Sequence, residues 1–419
     1  MRLRPAVLLL ALALMPDIAG GAPEARTPIV KIGIAPEVFS ASIRSAGSWR
    51  IGALGGGRRI EEVPPGGSWR FEAVGDRLQI EDHRGARLPA GGDTLFLFPS
   101  PGSDLCLEID GKGYRGEAIV YAAGGGRLSV VNVIDLESYL RGVLPAEIGD
   151  GGAKGFEAVK AQAVAARSYT LAHLNRWRAR GFDLLPTVED QVYLGIAGER
   201  KATDRALRET CGVLAHHDGH PIEAYYSSTC GGMTASLEDV WGRPPRPYLK
   251  ARRDARRKGE ESFCAASRYY RWSEEWEGAD LERILKGTLP GATGEKNPQG
   301  WGRLKEIALE DKSRSFRVAA LRVRFEKKSF TLKGDRVRWI FRRAGGGGLP
   351  SALIFKIEVR KSKGRVAKVV FHGGGYGHGV GLCQMGALGM AAEGADYRQI
   401  LRFYYPGVRL ARAYPECPW

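Results

Sequence analysis

The sequence predicts an α+β fold rich in strands, and three observations carry that reading. Short runs of alternating apolar and polar residues recur from Ile29 to about Val130, set apart by glycine clusters, as half-buried strands with tight turns should be. An alanine-rich segment from Gly155 to about Arg178 has the spacing of one long helix. Strand-like runs resume between about Glu275 and Lys368. The expected architecture is a helix standing behind a short segment that carries Glu147, with one β region before it and another inserted after it.

In chain order, Arg2 and Arg4 precede an uninterrupted apolar run from Ala6 to Met15, and Ala19 and Gly21 supply small residues. That pattern predicts a signal peptide over residues 1–21, and hence export to the periplasm, the cell envelope or the outside. A spanning helix needs about 20 apolar residues, so no transmembrane segment is expected once the signal is removed. Residues 22–128 are expected to form an N-terminal β-rich region. Residues 129–419 are expected to form a second domain with its strand-rich insert at about 275–368. Arg127 to Ile134 reads as a strand and Leu136 to Val143 as a short helix.

Glu147 follows Val143, Leu144, Pro145 and Ala146. Apolar neighbours disfavour the ionised form of a carboxyl group, which makes Glu147 a candidate proton donor near neutral pH. On the alanine-rich helix, Val159, Ala163, Ala166 and Thr170 share one face, and Val164, Arg167 and Leu171 the next. Part of Tyr193 to Cys211 reads as helix. His216, His217, Asp218 and His220 have the composition of metal ligands. Asp218-Gly219 between apolar runs is instead a hairpin turn signal, and the turn is the preferred reading.

The net charge of +16 would suit nucleic acid, but export sets that partner aside. Outside the cytoplasm a basic surface meets anionic lipid, polysaccharide or cell wall. Six cysteines permit disulfides, and the absence of any C-x-x-C unit argues against a zinc ribbon. The glycine-dense loop from Phe371 to Gly394 fails the dinucleotide fingerprint: the third glycine position falls on His378 in one register and Val380 in the next. Glycines at 373, 375, 377, 379 and 381 leave a backbone face bare. That suits either close packing inside the protein or the floor of a cleft for an extended ligand.

Four ordered blocks carry a further reading. They are VNVIDLESYLRGVLPAEI (131–148), KAQAVAARSYTLAH (160–173), AYYSSTCGGMT (224–234) with RPYLK (246–250), and GGGYGHGVGLCQMGALGMAAEG followed by ILRFYYPGV (400–408). With them the chain resembles the stage II sporulation protein D (SpoIID) family, from about Val131 to the C-terminus. The resemblance implies a SpoIID-like fold and a peptidoglycan lytic transglycosylase acting on glycan strands stripped of stem peptides. It puts the catalytic acid on Glu147 and substrate-binding roles on Arg167, Thr229, Tyr248, Lys250, His378 and Gln384. The implied chemistry consumes no cofactor. Some relatives carry a histidine where this chain has Ser227, so a metal role borrowed from them does not transfer. Other SpoIID-like proteins act as enhancers of a wall amidase, which makes an amidase a second expected partner beside the glycan. Cys230 lies in the third block, Cys264 in SFCAASRYYRW (262–272) and Cys383 in the glycine-rich block, all expected around one site. Export favours a Cys230–Cys264 disulfide, with a thiolate metal site of Cys230, Cys264 and Cys383 as the alternative.

Overall fold

Alternation in the N-terminal third does become strands. The computed structural model describes residues 26–53, 59–89, 92–100, 106–343, 345–415 and 417–418, so the expected signal peptide lies outside the described residues. Among the described residues twelve strands come first: β1 (Ile29–Val38), β2 (Ser40–Ser45), β3 (Trp49–Ala53), β4 (Arg59–Val63), β5 (Ser68–Val74), β6 (Arg77–Glu81), β7 (Arg87–Pro89), β8 (Thr94–Pro99), β9 (Cys106–Ile109), β10 (Lys112–Arg115), β11 (Glu117–Gly124) and β12 (Arg127–Asp135). They form two six-stranded sheets, ordered β1-β12-β11-β8-β3-β4 and β10-β9-β2-β5-β6-β7. Every second residue points inward, as in β2, where Ala41, Ile43 and Ser45 are buried between exposed or half-exposed neighbours. Trp49 of one sheet meets Trp69 of the other edge to face, with ring centroids 6.1 Å apart, so the inner faces of both sheets make one core.

β12 runs directly into helix α1 (Leu136–Ile148). Asp135 caps it, its Oδ1 accepting from the Ser138 N–H at 2.9 Å. The helix outlasts the expected Val143 and passes through Pro145. Leu136, Tyr139, Leu140, Val143 and Leu144 form a buried stripe at helical spacing, and that burial outweighs the one backbone hydrogen bond proline removes. The chain leaves the helix through Gly149 at φ 72, a left-handed exit that glycine makes without strain.

Helix α2 (Phe156–Ala172) stops six residues short of the expected end. It is buried nearly all round from Ala158 to Thr170, which explains its alanines. After α3 (Lys201–Glu209), the hairpin of β13 (Val213–His217) and β14 (His220–Pro221) turns at Asp218 (φ 50) and Gly219 (φ 79), as expected. Strand β15 (Tyr226–Ser227), the short helix α4 (Leu237–Trp241) and strand β16 (Trp272–Glu277) follow.

The insert expected to be strand-rich also contains a sixteen-residue helix, α5 (Gly278–Thr293). Leu281, Leu285 and Leu289 bury one face of it at steps of four, a period masked in sequence by Gly287, Pro290 and Gly291. It packs with β17 (Leu304–Lys312), β18 (Val318–Phe325), β19 (Ser329–Leu332), helix α6 (Val337–Ile340), β20 (Ile354–Ser362) and β21 (Arg365–Gly373) around one apolar core that includes Trp276, Trp301, Phe341 and Phe371. Strand β22 (Leu382–Cys383), helices α7 (Gln384–Ala392) and α8 (Tyr397–Tyr404) and strand β23 (Arg409–Arg412) complete the described chain. No described helix is long and apolar enough to cross a membrane.

The described elements fall into two compact units, and the chain passes between them at Glu147/Ile148, Tyr169/Thr170, Leu214/Ala215 and Leu410/Ala411. One unit holds the N-terminal sheets with α1 and α3, and the other holds α4 to α8. The disulfide joins Cys211 to Cys417, not the expected pair: Cys230 and Cys264 are free thiols.

Candidate active site

Glu147 lies in the last turn of α1, half-buried, where its Oε1 accepts from the backbone N–H of Val192 at 3.0 Å. The loop bearing that N–H is pinned to the same helix. Leu194 N–H donates to the Gly142 carbonyl at 3.1 Å, and the Tyr193 ring packs on Tyr139 with centroids 4.9 Å apart. The Tyr193 hydroxyl donates to Asn132 Oδ1 at 3.0 Å, and Gln191 Oε1 accepts from Thr170 at 2.7 Å. A side chain at Gly142 would overlap the Tyr193 ring and meet the Gly195 carbonyl at 2.8 Å, so glycine is what lets the loop come this close. Glu137, the other carboxylate of α1, is fully buried and accepts from the Tyr414 hydroxyl at 2.5 Å. It is held in the packing, which leaves Glu147 as the partly accessible acid of this helix.

Arg167 is fully buried in α2, which rules out the surface ion pair common for helical arginines. The remaining expected residues belong to the second unit. Thr229 is buried, and its hydroxyl shares a hydrogen bond with Ser267 at 2.8 Å while its backbone pairs with Tyr376. The Tyr248 ring is also buried, 5.4 Å from that of His217, and its hydroxyl accepts from the Glu223 N–H at 3.3 Å. Lys250 is exposed, and Gln384 is buried as the first residue of α7.

His378 joins a cluster that sequence reasoning missed. Its ring lies 5.0 Å from Trp241 and 6.2 Å from Tyr225, and those two rings are 4.9 Å apart. Trp241 is 38% exposed, an aromatic face of the kind sugars stack on. Tyr225 stood in the third block, but Trp241 had no signal beyond being a tryptophan in a turn-rich stretch. Burial first, then the Arg338 and Arg317 guanidinium groups, push the His378 pKa down to about 3. The neutral ring accepts from the Val380 N–H at Nδ1, 3.0 Å away.

The bare face of the glycine loop is covered by the protein itself, so the cleft-floor reading is corrected. A Cβ at Gly375 would meet the Thr229 carbonyl at 2.7 Å, and one at Gly377 would meet Ser227 at 2.9 Å. At Gly373, Gly379 and Gly381 it would overlap Trp272, Arg317 and the Tyr225 carbonyl. This packing lets β22 pair in parallel with β15, setting Ser227 opposite Cys383.

That pairing gathers the cysteines. The thiol sulfurs of Cys230, Cys264 and Cys383 and a carboxylate oxygen of Asp254 all lie within 4.8 Å of one another, and all four residues are buried. Hydrogen bonds from Cys230 and Cys383 hold the Cys264 thiol far below its usual range, whereas burial raises Cys230, Cys383 and Asp254.

Comparison with known sequences agrees with the motif reading. The profile of the SpoIID family, described as stage II sporulation protein, matches residues 124–217, and a domain of unknown function, DUF8618, matches residues 256–381. The chain is 32% identical to an uncharacterized protein of Brachyspira hyodysenteriae over 72% of this chain and 73% of that one. It is 28% identical to the amidase enhancer of Bacillus subtilis over 65% of this chain, spanning 40% of that longer protein. It is 27% identical to stage II sporulation protein D of Bacillus subtilis over 68% of this chain and 76% of that one. The profile match, these relatives and the four ordered blocks together make the chain a member of the SpoIID family.

Proposed function

We propose that the protein is an exported lytic transglycosylase that cuts peptide-stripped glycan strands of peptidoglycan. The observation that carries this reading is Glu147: the acid at the family's motif position is half-buried on α1 and oriented by the Val192 N–H. Family membership supports a cell-wall role, and the Cys211–Cys417 disulfide suits an oxidising, exported setting. In this reading residues 1–21 are removed on export, 22–128 form the N-terminal β region, and 129–419 form the catalytic domain with its insert.

The chemistry needs one carboxyl group that works in both protonation states. Glu147 donates its proton to the glycosidic oxygen between N-acetylmuramic acid and N-acetylglucosamine as the C1–O bond breaks. As carboxylate it then takes the proton of the muramic acid C6 hydroxyl, whose oxygen closes on C1. The products are a free N-acetylglucosamine end and a 1,6-anhydromuramic acid end, and no water is consumed. Arg167 is assigned to stabilising charge at the sugar. Thr229, Tyr248, Lys250, His378 and Gln384 are assigned to holding the glycan or the walls of its site.

One observation favours a second reading. The relative named as an amidase enhancer makes a wall amidase a fitting partner, with the glycan bound and not cut. Incubation with purified stripped glycan and mass analysis of the products separates the two. New 1,6-anhydro ends support the lyase; unchanged strands with retained binding support the enhancer.

A further inference from the structure

Three cysteines and one aspartate are buried together in the second unit. They come from separate parts of the chain: Cys230 follows β15, Asp254 and Cys264 lie in the segment before β16, and Cys383 is the last residue of β22 and caps α7. Bringing three thiols and a carboxylate together in the interior is costly unless something binds them. A disulfide uses two sulfurs about 2.05 Å apart and leaves the third thiol and the carboxylate without purpose. The Cys230 and Cys264 sulfurs are 3.7 Å apart. That is close to the ~3.8 Å edge of a tetrahedron whose metal–sulfur bonds are about 2.3 Å, the length of a zinc–thiolate bond.

The surroundings are those of thiolates and an oriented ligand. The Cys383 sulfur accepts backbone N–H bonds from Cys230 at 3.2 Å and Gly386 at 3.3 Å, the latter in the first turn of α7. Asp254 is held from both sides: the Tyr404 hydroxyl donates to Oδ1 at 2.6 Å, and the Cys264 N–H donates to Oδ2 at 3.0 Å. Such outer bonds fix ligands about a metal. Gly386 permits this closeness, because a side chain there would overlap the Tyr404 hydroxyl and meet Asp254 Oδ1 at 2.6 Å. The fully buried Arg317 donates to the carbonyls of Cys230 at 3.3 Å and Met233 at 3.0 Å, placing a positive charge beside a group of four potential anions.

We propose that Cys230, Asp254, Cys264 and Cys383 bind one structural zinc ion with a closed set of three sulfurs and one oxygen. Three thiolates and a carboxylate around Zn²⁺ leave a net charge of about −2, which Arg317 and the N–H donors offset. The ion ties β15, the segment before β16 and the start of α7 into one structure. It takes no part in the glycan reaction, and the site stands or falls independently of the lyase reading. The softness of three thiolates selects zinc over magnesium or calcium.

The test uses the full mature chain, purified without added reductant or metal chelator. Elemental analysis should give one zinc per chain, released on titration with a mercurial thiol reagent. Cobalt exchanged into the protein should show the intense near-ultraviolet charge transfer and visible bands of a tetrahedral thiolate site. Cys383→Ser should lower the metal content to a small fraction, while Cys106→Ser, whose thiol lies in β9, should keep it at one. If Cys383→Ser does not fold, the cobalt spectrum of the unaltered protein still decides. Metal-free protein with a Cys230–Cys264 disulfide in peptide mapping overturns the proposal, as does a cobalt spectrum without thiolate charge transfer.

Discussion

At the scale of single residues, environment assigns different tasks to like groups. Glu137 and Glu147 share one helix, yet the first is locked under Tyr414 and the second is half-buried against one backbone N–H. The sequence distinguished Glu147 by its apolar neighbours and its motif; the fate of Glu137 depends on Tyr414, nearly three hundred residues on, and was not legible. His378 shows a different limit. Its glycine neighbours give no sign of the Trp241 and Tyr225 rings that pack against it, and desolvation with the nearby Arg338 and Arg317 guanidinium groups lowers its pKa to about 3. An unfolded histidine titrates near 6.5, so between about 6.5 and 3 the unfolded chain binds the extra proton. His378 therefore contributes stability that is present above about pH 6.5 and lost as the pH falls towards 3, by at most ~1.4 kcal/mol per pH unit. Denaturant unfolding from pH 7 to 4 should show a shallower decline for His378→Gln than for the unaltered protein. Equal slopes would mean that the ring is solvated.

At the scale of elements, local signals read well where they were local. The alternating strands, the Asp218-Gly219 hairpin and the alanine-rich α2 all follow from period and turn chemistry. What failed depended on distant partners. α1 runs through Pro145 because its buried stripe holds it, and α5 was hidden because Gly287, Pro290 and Gly291 interrupt a leucine period that only the insert core completes. The glycine loop was ambiguous for the same reason, since bare backbone fits a ligand or a neighbour equally. The neighbour at Gly379 is the Arg317 guanidinium, and the residue sits at φ 77. Gly379→Val combines a strained left-handed backbone with overpacking, so a loss of about 2 kcal/mol or more is expected by thermal or denaturant unfolding. Unchanged stability, with weaker glycan binding alone, would return the loop to the role of cleft floor.

At the scale of the whole molecule, the family and the β-rich α+β class were legible from four blocks and a period. The cysteine arrangement was legible in part: Cys230, Cys264 and Cys383 gather as expected, as free thiols, but spacing does not give connectivity, and Cys211 pairs with Cys417 across 206 residues. The net charge of +16 gains a use in the proposed reaction. Stripping stem peptides leaves a free lactyl carboxylate on each muramic acid, so the substrate is a polyanion. Electrostatic attraction is screened by salt, and binding to stripped glycan should weaken severalfold between roughly 50 and 500 mM NaCl. Salt-independent binding would remove the net charge from the account.

In the proposed reaction Glu147 performs both proton transfers. Glu147→Gln keeps the size of the side chain and can still accept from the Val192 N–H, but it cannot donate or take the catalytic proton. Purified stripped glycan should be incubated with each protein at neutral pH, and the 1,6-anhydromuramic acid ends counted by mass spectrometry. The expected result is anhydro ends from the unaltered protein and a loss of ~10²-fold or more for Glu147→Gln, with glycan binding retained. Cleavage by Glu147→Gln at the unaltered rate, or reducing ends formed with uptake of water, would contradict it.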